Sequence, residues 1–551
     1  MIGVLRNRAA SAAHGLAGRG VRTLAVLVFG LTAAVSAHAG SGKNLLENGD
    51  CEAGGKSVGG WMTVYPPALA KPAPVFTAST DAPHGGKRCA SVVVEYTGGY
   101  TSFTQSVSIG KGVNGLHFEA WARVDANPGG KGAADLVLFF VVPSEKDGGE
   151  MVQSKRLVDV QGWTKLTLDA AVPEGATEVL TRLGVFGPCS ASFDDAVLTS
   201  SDVKGTACKL AVARGDYRVK AKASTDKAWI ALSIPFPIGG ETPLAVRVKS
   251  EPEGRVAALQ VVKERENRPL KVLFEALKPG DEVAITVETL TLLRDRPVSD
   301  GAGVALPVKA KVPKDVAPHL KAAPGVDVDD AAVRKLASAF ARKDLQALTT
   351  DLAKALRERL KYDGGASQGA KECLDSGKAV CTGYANVAAS LFIAAGVPCR
   401  ILACDLLGSR LQEHYIVEAW TSALGWSRME STGAAFPYKD SESLVLRIVY
   451  PDSERSPFDV PLYVEGSSDV AANFRMGADG CWQGSELLST HFLDSNAITA
   501  IENEARANFE ELAKAPEHGA RSVFLVLDPA EKSAAKAEEL FTAVKAWFEG
   551  R

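Results

Sequence analysis

Three residues in the C-terminal half of the chain have the side chains that a nucleophilic site requires. Cys381 offers a thiol, His414 a base for that thiol, and Glu430 a carboxylate that can orient the imidazole. The thiolate is the reactive form of cysteine, and a base that is itself held by a third group is the usual means of activating a nucleophile. The residue types therefore predict attack by Cys381 on a carbonyl carbon.

The sequence places Cys381 at the start of a helix. An apolar stretch follows it through Leu391 and Ile393, and Gly396 and Pro398 end that stretch. The positive end of a helix dipole stabilises a thiolate, and thiol pKa values fall from about 8.5 to below 7 in such settings. This position therefore favours a reactive Cys381.

The other two residues are predicted to lie on a β-hairpin. Residues 414–420 read as a strand, 421–425 as a turn, and 426–430 as a returning strand. This pairing brings His414 close to Glu430, where a carboxylate fixes the tautomer of the imidazole and supports its protonated form.

Three motifs in this region resemble the transglutaminase-like superfamily, which has a papain-like α+β fold. They are Cys-Thr-Gly-Tyr-Ala at 381–385, Ala-Ala-Gly-Val-Pro-Cys-Arg at 394–400, and the Gly425-Trp426 and Ser431-Thr432 pairs that follow the histidine strand. The motifs occur in the family's order and at family-like spacing, and the resemblance covers residues 330 to 435.

The resemblance implies a role for each matching residue. Cys381 is the nucleophile, His414 is the general base and acid, and Glu430 stands at the family's Asp position, with Ser431 in place of the usual Pro. The implied reaction is attack on an amide carbonyl to form a thioester, which water hydrolyses or an amine captures, and it needs no metal or organic cofactor. The alternative is a degenerate, non-catalytic scaffold.

Two further residues match family positions without a settled role. Glu418, four residues after the histidine, shares its strand face and is either a supporting partner of His414 or a rival to Glu430 in orienting it. Tyr362 lies where the family often has an aromatic residue before the nucleophile, and is either a second oxyanion donor beside the Cys381 N–H or a packing residue.

The N-terminal part alternates short β-like runs with Gly, Pro and Asp turns. Residues 117–124 alternate strictly between apolar and polar side chains, which is typical of a half-buried strand. Three segments, 44–52, 162–164 and 193–198, resemble the galactose-binding-like jelly rolls of carbohydrate-binding modules.

The jelly-roll resemblance implies two possible binding features. A structural calcium is expected on Glu52 and on Asp194 or Asp195, since hard oxygen ligands suit this ion, although the same acids can instead cap turns. Trp61 and Trp121 can form a platform for a polysaccharide, although a packing role is favoured.

The patterns predict a multidomain chain with an N-terminal β-sandwich jelly roll, a second β domain, an α+β catalytic domain and a helical tail. The predicted ranges are a signal peptide at 1–39, the jelly roll at 44–200, the second β domain at 205–310, a linker at 311–330, the transglutaminase-like domain at 331–445, and a C-terminal extension at 446–551 that is largely helical after 495.

The first 39 residues have the features of an export signal. A region containing Arg19 and Arg22 precedes a short apolar run, and Ala37-His38-Ala39 fits a cleavage site after Ala39. We therefore expect an exported protein, periplasmic or extracellular, that has no transmembrane segment after cleavage. A net charge of −3 without basic blocks excludes a nucleic-acid-binding composition. The transglutaminase-like resemblance implies a protein or peptide substrate.

The chain has nine cysteines, so at least one thiol is unpaired within it. An oxidising compartment permits disulfides among the other eight, although free buried thiols are an equally ordinary arrangement. Cys381 is the natural unpaired residue.

Overall fold

The structure, a computed structural model, describes most of the chain from residue 42 onward. The described residues are 35–36, 42–67, 70–96, 100–128, 132–143, 149–154, 156–158, 160–173, 175–296, 299–307, 311–407, 414–450, 464–474, 483–514, 523–525 and 537–549. The predicted export signal therefore lies outside the described residues, apart from Val35–Ser36. The chain forms two compact units: residues 12–207 with 487–494, and residues 208–486 with 495–551.

The first unit is a β-sandwich, as the sequence predicts. One sheet has the strand order β1-β5-β10-β7-β8, with β2 also paired to β5, and the other has the order β3-β4-β11-β6-β9. The strands are β1 (Val35–Ser36), β2 (Met62–Val64), β3 (Val75–Ser79), β4 (Cys89–Val94), β5 (Tyr100–Ser108), β6 (Gly115–Ala126), β7 (Ala133–Val141), β8 (Gly149–Gln153), β9 (Gln161–Ala171), β10 (Glu178–Phe186) and β11 (Cys189–Ser201).

Strand β6 shows why this sequence forms a sandwich. Phe118, Ala120 and Ala122 are 0% exposed, whereas the residues between them are only partly buried. Successive strand side chains point to opposite faces, so the alternation gives each sheet one apolar face to bury against the other. The predicted alternation of residues 117–124 is confirmed.

The second unit begins with two further antiparallel sheets. One has the strand order β25-β12-β17-β14-β27 and the other β15-β16-β13-β24. Their strands are β12 (Thr206–Ala221), β13 (Trp229–Leu232), β14 (Glu241–Glu251), β15 (Val256–Val261), β16 (Leu270–Phe274) and β17 (Glu282–Arg294), with β24 (Val464–Gly466), β25 (Val470–Phe474) and β27 (Val523–Leu525) added from later in the chain.

The α+β part follows in the same unit. Its helices are α1 (Ala331–Ser338), α2 (Leu345–Arg359), α3 (Ala370–Ser376) and α4 (Cys381–Ala394). A small parallel pair joins β18 (Lys361–Tyr362) to β19 (Lys378–Ala379), and the antiparallel sheet β22-β21-β20-β23 consists of β20 (Cys399–Leu406), β21 (His414–Thr421), β22 (Gly425–Met429) and β23 (Ser443–Val449).

The helix–sheet core buries one apolar face of helix α2, which precedes the Cys381 segment. Leu345, Leu348, Leu352 and Leu356 are at most 1% exposed and pack with the residues of α4. Helix α4 is almost entirely buried, so it fixes the position of its first residue in the core.

The C-terminal part is largely helical in the described residues. Its elements are β26 (Gln483–Leu493), α5 (Ser495–Lys514) and α6 (Glu538–Glu549). Helix α5 begins at Ser495, where the helical character of the extension is predicted to begin. In the described part of the chain we find no helix with the length and hydropathy needed to cross a membrane.

Candidate active site

The first residue of helix α4 is Cys381, as the sequence predicts. Packing requires glycine at the third position of the Cys-x-Gly motif. A Cβ on Gly383 would lie 2.6 Å from the sulfur of Cys373 and 3.0 Å from the Cβ of Ala379. Only a residue without a side chain lets helix α3 and strand β19 approach α4 this closely. The glycine thus allows the tight packing beside the nucleophile.

The structure brings His414 and Glu430 together at the start of β21 and just after the end of β22. Nε2 of His414 and Oε1 of Glu430 are 2.8 Å apart, and the side chain of His414 is 7% exposed. The antiparallel pairing of β21 with β22 produces this contact, as the predicted hairpin requires. The carboxylate therefore orients the imidazole with Nε2 toward it.

The other ring nitrogen of His414 is left for the thiol. Nδ1 is buried and has no hydrogen bond of normal geometry among the described residues, whereas Cys381 and His414 interact strongly enough to shift each other's ionisation. Loose contacts between a nucleophile and its base are common before substrate binds and tighten in the reacting complex.

Cys381 has the ionisation expected of a nucleophile. Burial opposes the thiolate, but contact with His414, the positive charge of that residue and hydrogen bonding from Thr382 outweigh it, so the pKa of Cys381 lies below its ordinary value. The pKa of His414 is raised to about 10, because Cys381 and Glu430 stabilise the imidazolium against the cost of burial. Both shifts favour the thiolate–imidazolium pair over the neutral pair.

The remaining described cysteines differ from Cys381. All eight described cysteines are free thiols, and Cys481 lies outside the described residues. Burial raises the pKa of Cys51 and Cys208 to about 12, and that of Cys89 and Cys373 to about 11. Structural cysteines of this kind are inert.

The turn after β22 accommodates Glu430 in place of the family's Asp. Its Oε1 accepts a hydrogen bond from the N–H of Thr432 at 2.9 Å, and its Oε2 accepts one from the N–H of Gly433. The backbone of Glu430 also pairs with Ala435. Burial alone would raise the pKa of Glu430, but His414 and these two N–H groups lower it. The longer side chain is thus held at both oxygens.

Glu418 does not lie against His414 as a rival to Glu430. It is 0% exposed, and its carboxylate contacts Arg400 at 2.7 Å, Arg428 at 3.1 Å and Arg296 at 3.4 Å. Burial raises the pKa of this group, but the arginines lower it to about 2. The structure assigns this carboxylate to a buried ion network.

Tyr362 lies beside the nucleophile, since β18 pairs with β19 in the register Tyr362↔Ala379, two residues before Cys381. Burial and the charge of Cys381 raise the pKa of Tyr362 to about 12. The phenol therefore stays protonated and can donate a hydrogen bond near the sulfur.

Sequence reasoning missed two groups of residues at this site. Thr382 supports the thiolate, and its signal is a hydroxyl residue directly after the nucleophile at a helix start. The arginines around Glu418 are the second group: Arg400 ends the motif at 394–400, but no sequence pattern pairs it, Arg428 or Arg296 with Glu418.

The acids of the predicted calcium site bond to residues 84–88 of the jelly roll, and the calcium stays a prediction. Oε1 of Glu52 accepts N–H groups of Lys87 and Arg88, and Oδ2 of Asp194 accepts those of His84 and Gly85. Asp195 contacts the ring of His84 at 2.7 Å. Among the described residues no group of three or more His, Cys, Asp or Glu side chains could hold a metal ion. Glu52 and Asp194 therefore cap the residue 84–88 turn.

The two tryptophans of the predicted platform lie in different places. Trp61 is 8% exposed and donates its indole N–H to the carbonyl of Asn48 at 3.1 Å, so it is a core residue. Trp121 is partly exposed on the outer face of β6 and stacks on His84 with ring centroids 4.0 Å apart.

Residues 334–431 match the model of the transglutaminase-like superfamily. This region is a transglutaminase-like domain. The match includes Cys381, His414 and Glu430, so the family assignment and the site geometry concern the same residues.

Comparison with solved structures gave weak likenesses over wider parts of the chain. A candidate cysteine protease from Cytophaga hutchinsonii is 11% identical, with 51% of this chain and 98% of that chain covered and a TM-score of 0.38. A family 16 carbohydrate-binding module is 19% identical, with 28% of this chain and 100% of that chain covered and a TM-score of 0.22. The periplasmic domain of TgpA from Pseudomonas aeruginosa is 14% identical, with 43% of this chain and 92% of that chain covered and a TM-score of 0.22. A comparison with curated proteins gave no match.

Proposed function

We propose that the chain is an exported cysteine enzyme that attacks amide carbonyls, with hydrolysis of peptide or amide bonds as its main reaction. The observation that carries the proposal is the arrangement of Cys381, at the first position of helix α4, and His414, whose imidazole Glu430 orients. Among the described cysteines whose pKa is shifted, it alone has a lowered pKa, and it interacts with an imidazole that Glu430 orients.

The reaction follows from the arrangement of the three side chains. The thiolate of Cys381 attacks the carbonyl carbon, and the negative charge passes to the carbonyl oxygen, where the N–H of Cys381 and the phenol of Tyr362 are the proposed donors. The imidazolium of His414 then gives its proton to the leaving amine as the C–N bond breaks, which leaves a thioester. Water, deprotonated by His414, cleaves the thioester and releases the acid; an amine in place of water gives acyl transfer.

Alkylation of the full chain by iodoacetamide tests the nucleophile without knowledge of the substrate. We expect Cys381 to react faster than the other thiols, with a rate that follows an apparent pKa below that of a model thiol, because the thiolate is the reacting species. Mass spectrometry of the Cys381 peptide gives the rate. A Cys381 that alkylates no faster than a model thiol would remove the proposal and favour a non-catalytic scaffold.

A specific surface supports a second role for the jelly roll, that of binding a polysaccharide. Trp163 lies edge-on to His84, with centroids 5.8 Å apart, beside the stacked His84–Trp121 pair, and the guanidinium of Arg123 lies 5.0 Å from the centroid of Trp163. Aromatic faces combined with polar groups suit sugar rings. We expect Trp163→Ala to weaken retention of the full chain on a polysaccharide column, whereas Val75→Ala, an exposed position on the same sheet, does not.

A further inference from the structure

A cluster of buried charges surrounds Arg428 in the β22 strand of the transglutaminase-like domain. Arg428 is fully buried, and three carboxylates contact its guanidinium: Glu241 at 2.8 Å, Asp440 at 3.0 Å and Glu418 at 3.1 Å. Arg296 and Arg400 also contact Glu418. Removing one partner of a buried ion pair is strongly destabilising, so each of these side chains is held in place by its charged partners.

The cluster includes Glu418, which lies on the same face of β21 as His414. Glu418 lies opposite Arg428 across the two strands. Glu418 is four residues after His414, and Arg428 is two residues before Glu430. Residues four apart share one face of a strand, so the side chains of Glu418 and His414 lie on the same face of β21, and Glu430 follows Arg428 closely along the chain. A one-residue slip would turn side chains to the other face, and the ion pair opposes such a slip.

Glu241 comes from outside the transglutaminase-like domain. It is the first residue of β14, 187 residues before Arg428, and it is 2% exposed. Its second oxygen accepts the N–H of Val445 on β23 at 2.7 Å, and the neighbouring N–H of Gly240 donates to Asp440 at 3.1 Å. The upstream sheet thus contributes a carboxylate to the back of the catalytic hairpin.

We infer that Glu241 and Arg428 are positioning residues that hold the β21–β22 hairpin so that Glu430 stays on His414, which makes the upstream β sheet part of the catalytic unit. The inference rests on the proposed function of the same site. The two residues act through the hairpin and touch neither the sulfur nor the imidazole in any hydrogen bond or ion pair of the described residues.

The pH dependence of Cys381 alkylation in the full chain tests this inference. We expect Glu241→Gln to raise the apparent pKa of Cys381 by about one unit, because a displaced Glu430 stabilises the imidazolium less; this corresponds to about tenfold less thiolate below both pKa values. Arg428→Lys keeps the buried charge but loses the planar fork that holds several carboxylates, and we expect the same direction of change.

Glu288→Gln is the matched control. It breaks the Arg247–Glu288 pair on the same sheet as Glu241, away from the hairpin, so it lowers thermal stability without a shift in the alkylation pKa. An unchanged pKa in folded Glu241→Gln and Arg428→Lys proteins would overturn the inference, as would an equal shift in Glu288→Gln. An ordinary thiol pKa in the unmodified chain would instead remove the proposed function.

Discussion

At the scale of single residues, Glu430 is the departure from the family pattern that matters most for the chemistry. Its two carboxylate oxygens are held by the N–H groups of Thr432 and Gly433, and one of them also contacts Nε2 of His414. Ala434 adopts a positive φ of 54°, which closes the turn tightly enough for these contacts. The extra methylene is therefore absorbed by the turn, and the charge still reaches the imidazole.

Replacing Glu430 by Gln tests the role of that charge. The amide keeps the size of the side chain but no longer stabilises the imidazolium, so we expect the pKa of His414 to fall from about 10 toward its ordinary value. Because the raised pKa supports the protonated form, the imidazolium is then lost at lower pH. Titration of the His414 ring by NMR measures the shift, and Glu358→Gln, an exposed position on helix α2, should leave it unchanged.

At the scale of elements, the β21–β22 hairpin is stabilised by buried ion pairs that can be broken singly. Glu418→Gln would leave Arg400 and Arg428 without the carboxylate that both contact. We expect a loss of about 3–5 kcal/mol in the free energy of unfolding, since the two buried arginines lose one of the carboxylates that compensate their charge. Denaturant unfolding measures it. Lys354→Gln breaks an exposed pair on α2 and should change stability by less than about 0.5 kcal/mol.

The sequence predicts the hairpin but not what supports it. Alternation places Glu418 on the same face as His414, and the motifs identify Cys381, His414 and Glu430 before any coordinates are known. The partner of Arg428 could not be foreseen, because Glu241 lies in a strand whose own pattern shows only β structure. Periodicity reports which face of an element is buried, whereas a contact between distant segments depends on the packing of the whole unit.

At the scale of the whole molecule, the described part of the C-terminal tail is a packing element of the second unit. Ile501, Ala505 and Phe509 on α5 are at most 1% exposed. Glu502 forms an ion pair with Arg294, and Glu510 forms one with Arg268. Helix α5 therefore stabilises the upstream sheets that supply Glu241.

Truncation of one buried side chain tests this role of the tail. Phe509→Ala should lower the free energy of unfolding by about 3–5 kcal/mol, because it removes buried apolar contacts and leaves a cavity. Thermal or denaturant unfolding of the full chain measures the loss. Asn503→Ala, at an exposed position of the same helix, should leave stability almost unchanged; equal stability of both variants would contradict a packing role.

The contact between Glu241 and Arg428 also bears on how such a chain can recombine during evolution. A crossover between residues 294 and 331 would join the transglutaminase-like domain to a foreign upstream domain, and Arg428 would lose one of its buried carboxylates. A recombinant would then need a replacement acid at the same point of the new sheet. The two segments are therefore expected to be inherited together, as one heritable unit, although their folds differ.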